Sequence, residues 1–136
     1  KENKGCNKLI ARVSKELNKK SYTFKDTWHT DQHGIRKLST FISHSSNSTT
    51  ESTMNMTIDT GVDASGKCVA SYNKTTIWKS PCYYIKEAVF DNSNNTISSL
   101  NQTTILTNRK NNTRVSLTPH ADAKECLSTE QGFFYD

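Results

Sequence analysis

The chain has 136 residues, room for one domain, and its 18 Lys and Arg against 13 Asp and Glu leave it mildly basic. Hydrophobic residues make up only 32% of it, because 18 Thr, 16 Ser and 13 Asn supply about a third of the positions, a composition suited to strands, turns and glycan sites. No apolar run approaches the roughly 18 to 20 residues that span a bilayer, and stretches such as Ile85 to Phe90 carry charges, so a transmembrane helix is excluded.

The first 20 residues predict the one clear helix. Cys6, Leu9, Ile10, Val13 and Leu17 form a single apolar stripe at helical spacing, with Lys8, Arg12, Lys15, Glu16 and Lys19 around the rest. After Lys20 the period changes to two. Tyr22, Phe24, Asp26 and Trp28 alternate with Ser21, Thr23, Lys25 and Thr27 as a half-buried strand. Gly34 marks a turn, Leu38, Thr40 and Ile42 predict a second strand, and 43–52 reads as a polar loop. Met54, Met56 and Ile58 predict an inward face with Asn55 and Thr57 outward. The pattern continues with a turn over Gly61 to Gly66 and strands over Lys67 to Asn73, Tyr83 to Phe90, Thr103 to Asn108 and Thr113 to Leu117. The segment 118–136, with Cys126 and the aromatic end Phe133-Phe134-Tyr135, has no evident period and is taken as a disulfide-tethered tail. No internal sequence repeat is visible.

Asn-x-Thr occurs at Asn47, Asn55, Asn73, Asn94, Asn101 and Asn111. Chance would give roughly three Asn-x-Ser/Thr sites in a chain of this composition, and every one found carries Thr, so an N-glycosylated, secreted protein is expected. Cys6, Cys68, Cys82 and Cys126 fit two disulfides in an oxidising compartment. Three pairings are open. The preferred one closes a hairpin with Cys68 and Cys82 and ties Cys6 to Cys126; the crossed alternative joins Cys6 to Cys82 and Cys68 to Cys126. A chain beginning at Lys1 without Met or an apolar leader fits a secreted protein after signal-peptide removal.

One helix and seven or eight short strands predict a mainly β single domain over 1–136, with a helix over 1–20, an antiparallel meander over 21–117 and the tail. The meander is expected to close into a small barrel, and the alternative is a cystatin-like sheet wrapped on a helix. The layout of a short N-terminal helix, the aromatic strand Tyr22-Thr23-Phe24-Lys25-Asp26-Thr27-Trp28, a meander and a late cysteine resembles the lipocalins of blood-feeding arthropod (tick) saliva, although Asp26 stands where that family's Gly-x-Trp has glycine. The resemblance covers the chain as layout, not motif. It implies a calycin-type barrel that sequesters small host mediators or lipids and so modulates host responses.

Tyr22, Phe24, Asp26 and Trp28 are the first candidate ligand contacts, an acid among aromatics suited to an amine; core packing beside a rim carboxylate is the plainer alternative. Met54, Met56, Tyr72, Tyr84 and Phe90 extend the candidate lining, again with simple core as the alternative. His29, His33, His44 and His120 have no metal-ligand spacing on a helix, and no nucleophile motif occurs, so neither metal nor cofactor nor catalysis is expected. Lys15, Lys19 and Lys20, and Arg109, Lys110 and Arg114, form two basic clusters expected to be solvated. The expected partner is a small-molecule or lipid ligand, with a host protein bound through surface loops as the alternative, and with no nucleic acid.

Overall fold

The computed structural model describes residues 6, 8, 9, 12, 23–30, 36–45, 51–62 and 64–135. For β1 and most of β2 it describes backbone alone. Cys6, Lys8, Leu9 and Arg12 are helical, Cys6 and Leu9 buried and Lys8 and Arg12 exposed, as the apolar stripe requires. Strands β1 (Thr23–Thr30), β2 (Arg36–Ser45), β3 (Glu51–Val62) and β4 (Cys68–Trp78) follow. A connecting helix (Cys82–Ala88) leads to β5 (Asn95–Leu100), β6 (Thr103–Asn108), β7 (Thr113–His120) and β8 (Glu125–Tyr135).

All eight strands form one antiparallel sheet in the order β1-β2-β3-β4-β8-β7-β6-β5. The fold is mainly β, but the expected barrel is not formed: β1 and β5 are the two ends of the sheet and do not pair. The reason is topological. β4 pairs along its whole length with β8, so the chain builds two meanders that meet in the middle rather than one that returns to its start.

Every buried residue of β3, β4, β6, β7 and β8 lies on one face. Across the sheet Met56 pairs with Lys74, Lys74 with Glu130, Glu130 with Val115 and Val115 with Leu106. The N-terminal helix covers one end of this face, where Cys6 and Leu9 pack with Met54, Met56, Ile58, Cys68, Ala70 and Tyr72. The connecting helix covers the other, where Ile85 packs with Leu106, Val115, Leu117 and Cys126. Among the described residues no buried side-chain nitrogen or oxygen lacks a partner.

Each half therefore runs helix, then four strands. The disulfides repeat with it: Cys6 joins Cys68 and Cys82 joins Cys126, each linking a helix to the fourth strand of its own half. Cys68 and Cys126 stand equally far ahead of Asn73 and Gln131, which pair with each other, so an approximate twofold axis passes through that pair. This corrects the preferred cysteine pairing. Cys68 begins β4 and Cys82 lies beyond its far end, and at about 3.3 Å per residue a strand of this length separates them by more than 30 Å, far outside disulfide reach.

Two local expectations are also corrected, and one strand is added. Tyr83 to Phe90 is not a strand: Pro81 caps a helix, its carbonyl accepting from the Tyr84 and Ile85 amides at 3.1 and 3.2 Å, and the cystine and Ile85 hold that helix to the sheet despite its strand-forming Tyr and Ile. Residues 95–100 form an edge strand. The supposed tail extends β7 to His120 and supplies β8, a central strand.

The seam between the halves carries specific contacts. Tyr72 donates from its hydroxyl to Glu130 Oε1 (3.3 Å), and the Trp78 indole N–H donates to Ser128 Oγ (2.8 Å). The Tyr72 ring lies over Gly132, directly opposite it, and against Phe134 at 5.3 Å. A Cβ on residue 132 would stand 2.5 Å from the ring. Gly132→Ala is therefore expected to push Tyr72 off the seam and lower stability by about 1 to 3 kcal/mol in denaturant unfolding. An unchanged midpoint would show that the ring has room to move.

Candidate functional site

The structure divides the candidate contacts among several places. Tyr22 lies outside the described residues. Phe24, Asp26 and Trp28 are on edge strand β1, where the backbone register aligns Phe24 with Ile42 and Met56, and Asp26 with Thr40 and Ile58. Met54, Met56 and Tyr72 are buried beneath the N-terminal helix as core. Tyr84 is exposed on the connecting helix, and Phe90 packs edge-on against Trp78, 6.1 Å between ring centres, in the second core. Met54, Met56 and Tyr72 share a place because helix and sheet meet there; Tyr84 and Phe90 belong to the other half.

The sequons have a consistent placement. Asn47 lies outside the described residues, and the other five asparagines are exposed. Asn55 and Asn73 stand on the face of the sheet opposite the helices, in adjacent strands, with Asn55 paired to Thr75 and Thr57 to Asn73, so the two sequons interlock. Asn94, Asn101 and Asn111 occupy turns. At Asn111 the side-chain oxygen accepts from both the amide (3.2 Å) and the hydroxyl (2.7 Å) of its own sequon Thr113.

Two surface regions combine apolar and polar groups. The first is a notch where β8 runs past the start of β7: Arg114 pairs with Gln131, and Gly132 to Tyr135 continue along β4 alone. Arg109, Asn112, Arg114, Phe133 and Tyr135 line it, the two rings stacked at 6.4 Å. Asn73 is part of the same lining and Asn111 sits in the adjoining hairpin, so sugars at both positions would crowd it.

The second region is the outer side of the connecting helix. Tyr83 is 76% exposed, and Tyr84 and Val89 are also open to solvent, while Ile85 on the inner side is completely buried. The Cys82–Cys126 bond fixes the first residue of this helix to β8. A short helix so held presents its tyrosines from a rigid base, which limits the side-chain entropy lost on binding.

No family model matches the chain, and no curated protein or solved structure is significantly similar to it. The candidate site therefore rests on its own geometry. Among the described residues no three His, Cys, Asp or Glu converge as a metal site, and no helix is long and apolar enough to cross a membrane. The two disulfides fit an extracellular setting.

The sequence pattern did not single out Tyr83, because it was grouped with a strand. The signal available was Pro81 followed at once by a cysteine and the helix formers Lys86-Glu87-Ala88.

Proposed function

We propose that this is a secreted, N-glycosylated, non-enzymatic protein that binds a host protein through the outer side of the connecting helix. The observation that carries this reading is that the exposed tyrosines of the connecting helix lie in a sequon-free stretch, unlike Phe133 and Tyr135, which share their notch with Asn73. Asn55 and Asn73 face away from the helices, and no sequon falls between Thr75 and Asn94, the stretch that contains Tyr83, Tyr84 and Val89. Adjacent exposed tyrosines on a fixed helix have the chemistry of interface anchors, whose truncation typically costs about 2 kcal/mol or more. Sequestration in the core is disfavoured by the packing of Met54, Met56 and Tyr72 under the N-terminal helix.

The test is direct. Protein from a secretory host, immobilised and exposed to plasma, should retain a defined partner, and Tyr83→Ala with Tyr84→Ala should weaken that binding about 30-fold or more while leaving the unfolding midpoint in place. Equal retention by the double variant would refute the assignment to this helix. A second reading, capture of a small amphipathic or lipid ligand, is favoured by the register of Phe24 and Asp26 with Ile42 and Thr40 at the β1 end of the sheet. A co-purifying small molecule in native mass spectra, lost in Asp26→Asn, would support it.

A further inference from the structure

We infer that glycans at Asn94 and Asn101 act as a pair that guards the exposed edge strand β5 against pairing with a second copy of the chain; this rests on the reading that the sequons are occupied. β5 ends the sheet, so alternate residues turn their N–H and C=O groups outward with no strand to receive them among the described residues. Both of its side-chain faces are open from Thr96 to Leu100, with Ile97 61% and Leu100 66% exposed.

The usual protections of an edge are missing. The strand Asn95-Thr-Ile-Ser-Ser-Leu100 contains no charge, no proline and no glycine, and its register with β6 is continuous from Asn95 to Leu100 without a bulge. A neutral, regular strand with β-branched and apolar residues is a template for another strand.

The sequons stand at its two ends. Asn94 immediately precedes the first residue of β5 and Asn101 immediately follows the last. Asn94 is exposed and donates one amide hydrogen to Asn92 Oδ1 at 3.2 Å, a bond that the remaining hydrogen of a glycosylated amide can keep. Asn101 opens the tight turn into β6 in the left-handed region, φ 55°, again exposed. If two copies of β5 pair antiparallel about a twofold axis at Ile97 or at Ser98, with like residue opposite like, Asn94 of each copy falls within one residue of the position opposite Asn101 of the other. Sugar would then meet sugar at both ends, and the strand, about 20 Å long, leaves no room to slide clear.

The experiment begins with site occupancy by glycopeptide mass spectrometry on protein from a secretory host. It continues with light scattering on the size-exclusion peak over a range of concentrations. The wild-type protein and Asn111→Gln, which loses a sugar away from this edge, should share one mass. Asn94→Gln combined with Asn101→Gln should raise the mass with concentration toward a dimer or beyond, and adding Ile97→Lys should return it to the wild-type value. A double variant that keeps the wild-type mass would overturn the inference, as would association that persists with Ile97→Lys. Empty Asn94 and Asn101 beside occupied Asn55, Asn73 and Asn111 would overturn it alone; no occupancy anywhere would overturn the glycoprotein reading beneath it.

Discussion

Replacing Cys82 and Cys126 together by alanine is expected to cost about 4 kcal/mol, the largest effect of any change considered for this protein. The bond closes a loop of sequence separation 44, and chain-entropy arithmetic for that length gives about 4 kcal/mol, against a total stability of roughly 5 to 15 kcal/mol for a small domain. Cys126 is fully buried beside Leu117 and Ile85, so its truncation also loosens the second core. Denaturant unfolding of the oxidised wild-type protein and the double variant under the same conditions measures the difference. A midpoint shift worth under about 1 kcal/mol would mean that the connecting helix is held by packing alone. Peptide mapping of the wild-type protein should find Cys6 with Cys68 and Cys82 with Cys126, and no peptide joining Cys68 to Cys82.

Ile85→Ala is expected to lower stability by about 3 kcal/mol, within the range for a fully buried aliphatic truncated to alanine. Ile85 is the only buried residue of the connecting helix, and the second core forms around it, so little else holds that helix down besides the cystine. Tyr83→Ala, two residues away and largely in solvent, should change stability by no more than about 0.5 kcal/mol. The pair thus separates the two sides of one helix: the inner side sets the fold, the outer side is available for a partner. Equal losses from the two substitutions would place Tyr83 in the packing and remove the basis for its proposed role.

Much of the first half of the fold was legible in the sequence, and the reason is the strength of its periodicities. Met54, Met56 and Ile58 alternate with Asn55 and Thr57, and the structure buries the former while leaving Asn55 exposed. The N-terminal stripe behaves likewise at Cys6 and Leu9. The second half was harder because burial there falls on residues that do not look buried. In β8 the inward positions include Cys126, Ser128 and Gly132, while Phe133 and Tyr135 point outward, so the apolar alternation is inverted in appearance. β5 buries neither face and has no alternation to detect. The connecting helix buries one side chain, too few to trace a stripe.

Closure of the sheet was not readable locally at all. Whether eight strands curl into a barrel or meet as two meanders depends on β4 finding β8, and that pairing joins segments about 58 residues apart in sequence, with no turn to announce it. The candidate contacts followed the same division. Met54, Met56 and Tyr72 pack together, but Tyr84 and Phe90, read as part of the same lining, lie in the other half, and a helix covers the face that a barrel would have left open.

The non-overlapping cystines have a consequence for how the protein is made. Cys68 is preceded in the chain by one cysteine only, and that is its partner; Cys126 pairs with the cysteine directly before it. Cys6 and Cys68 are thus the first two cysteines of the sequence and Cys82 and Cys126 the second two, so pairing in order of appearance gives the native bonds. The fully reduced chain, with these four thiols presented at once, has three pairings open to it, and only the pairing of neighbours in the chain is native.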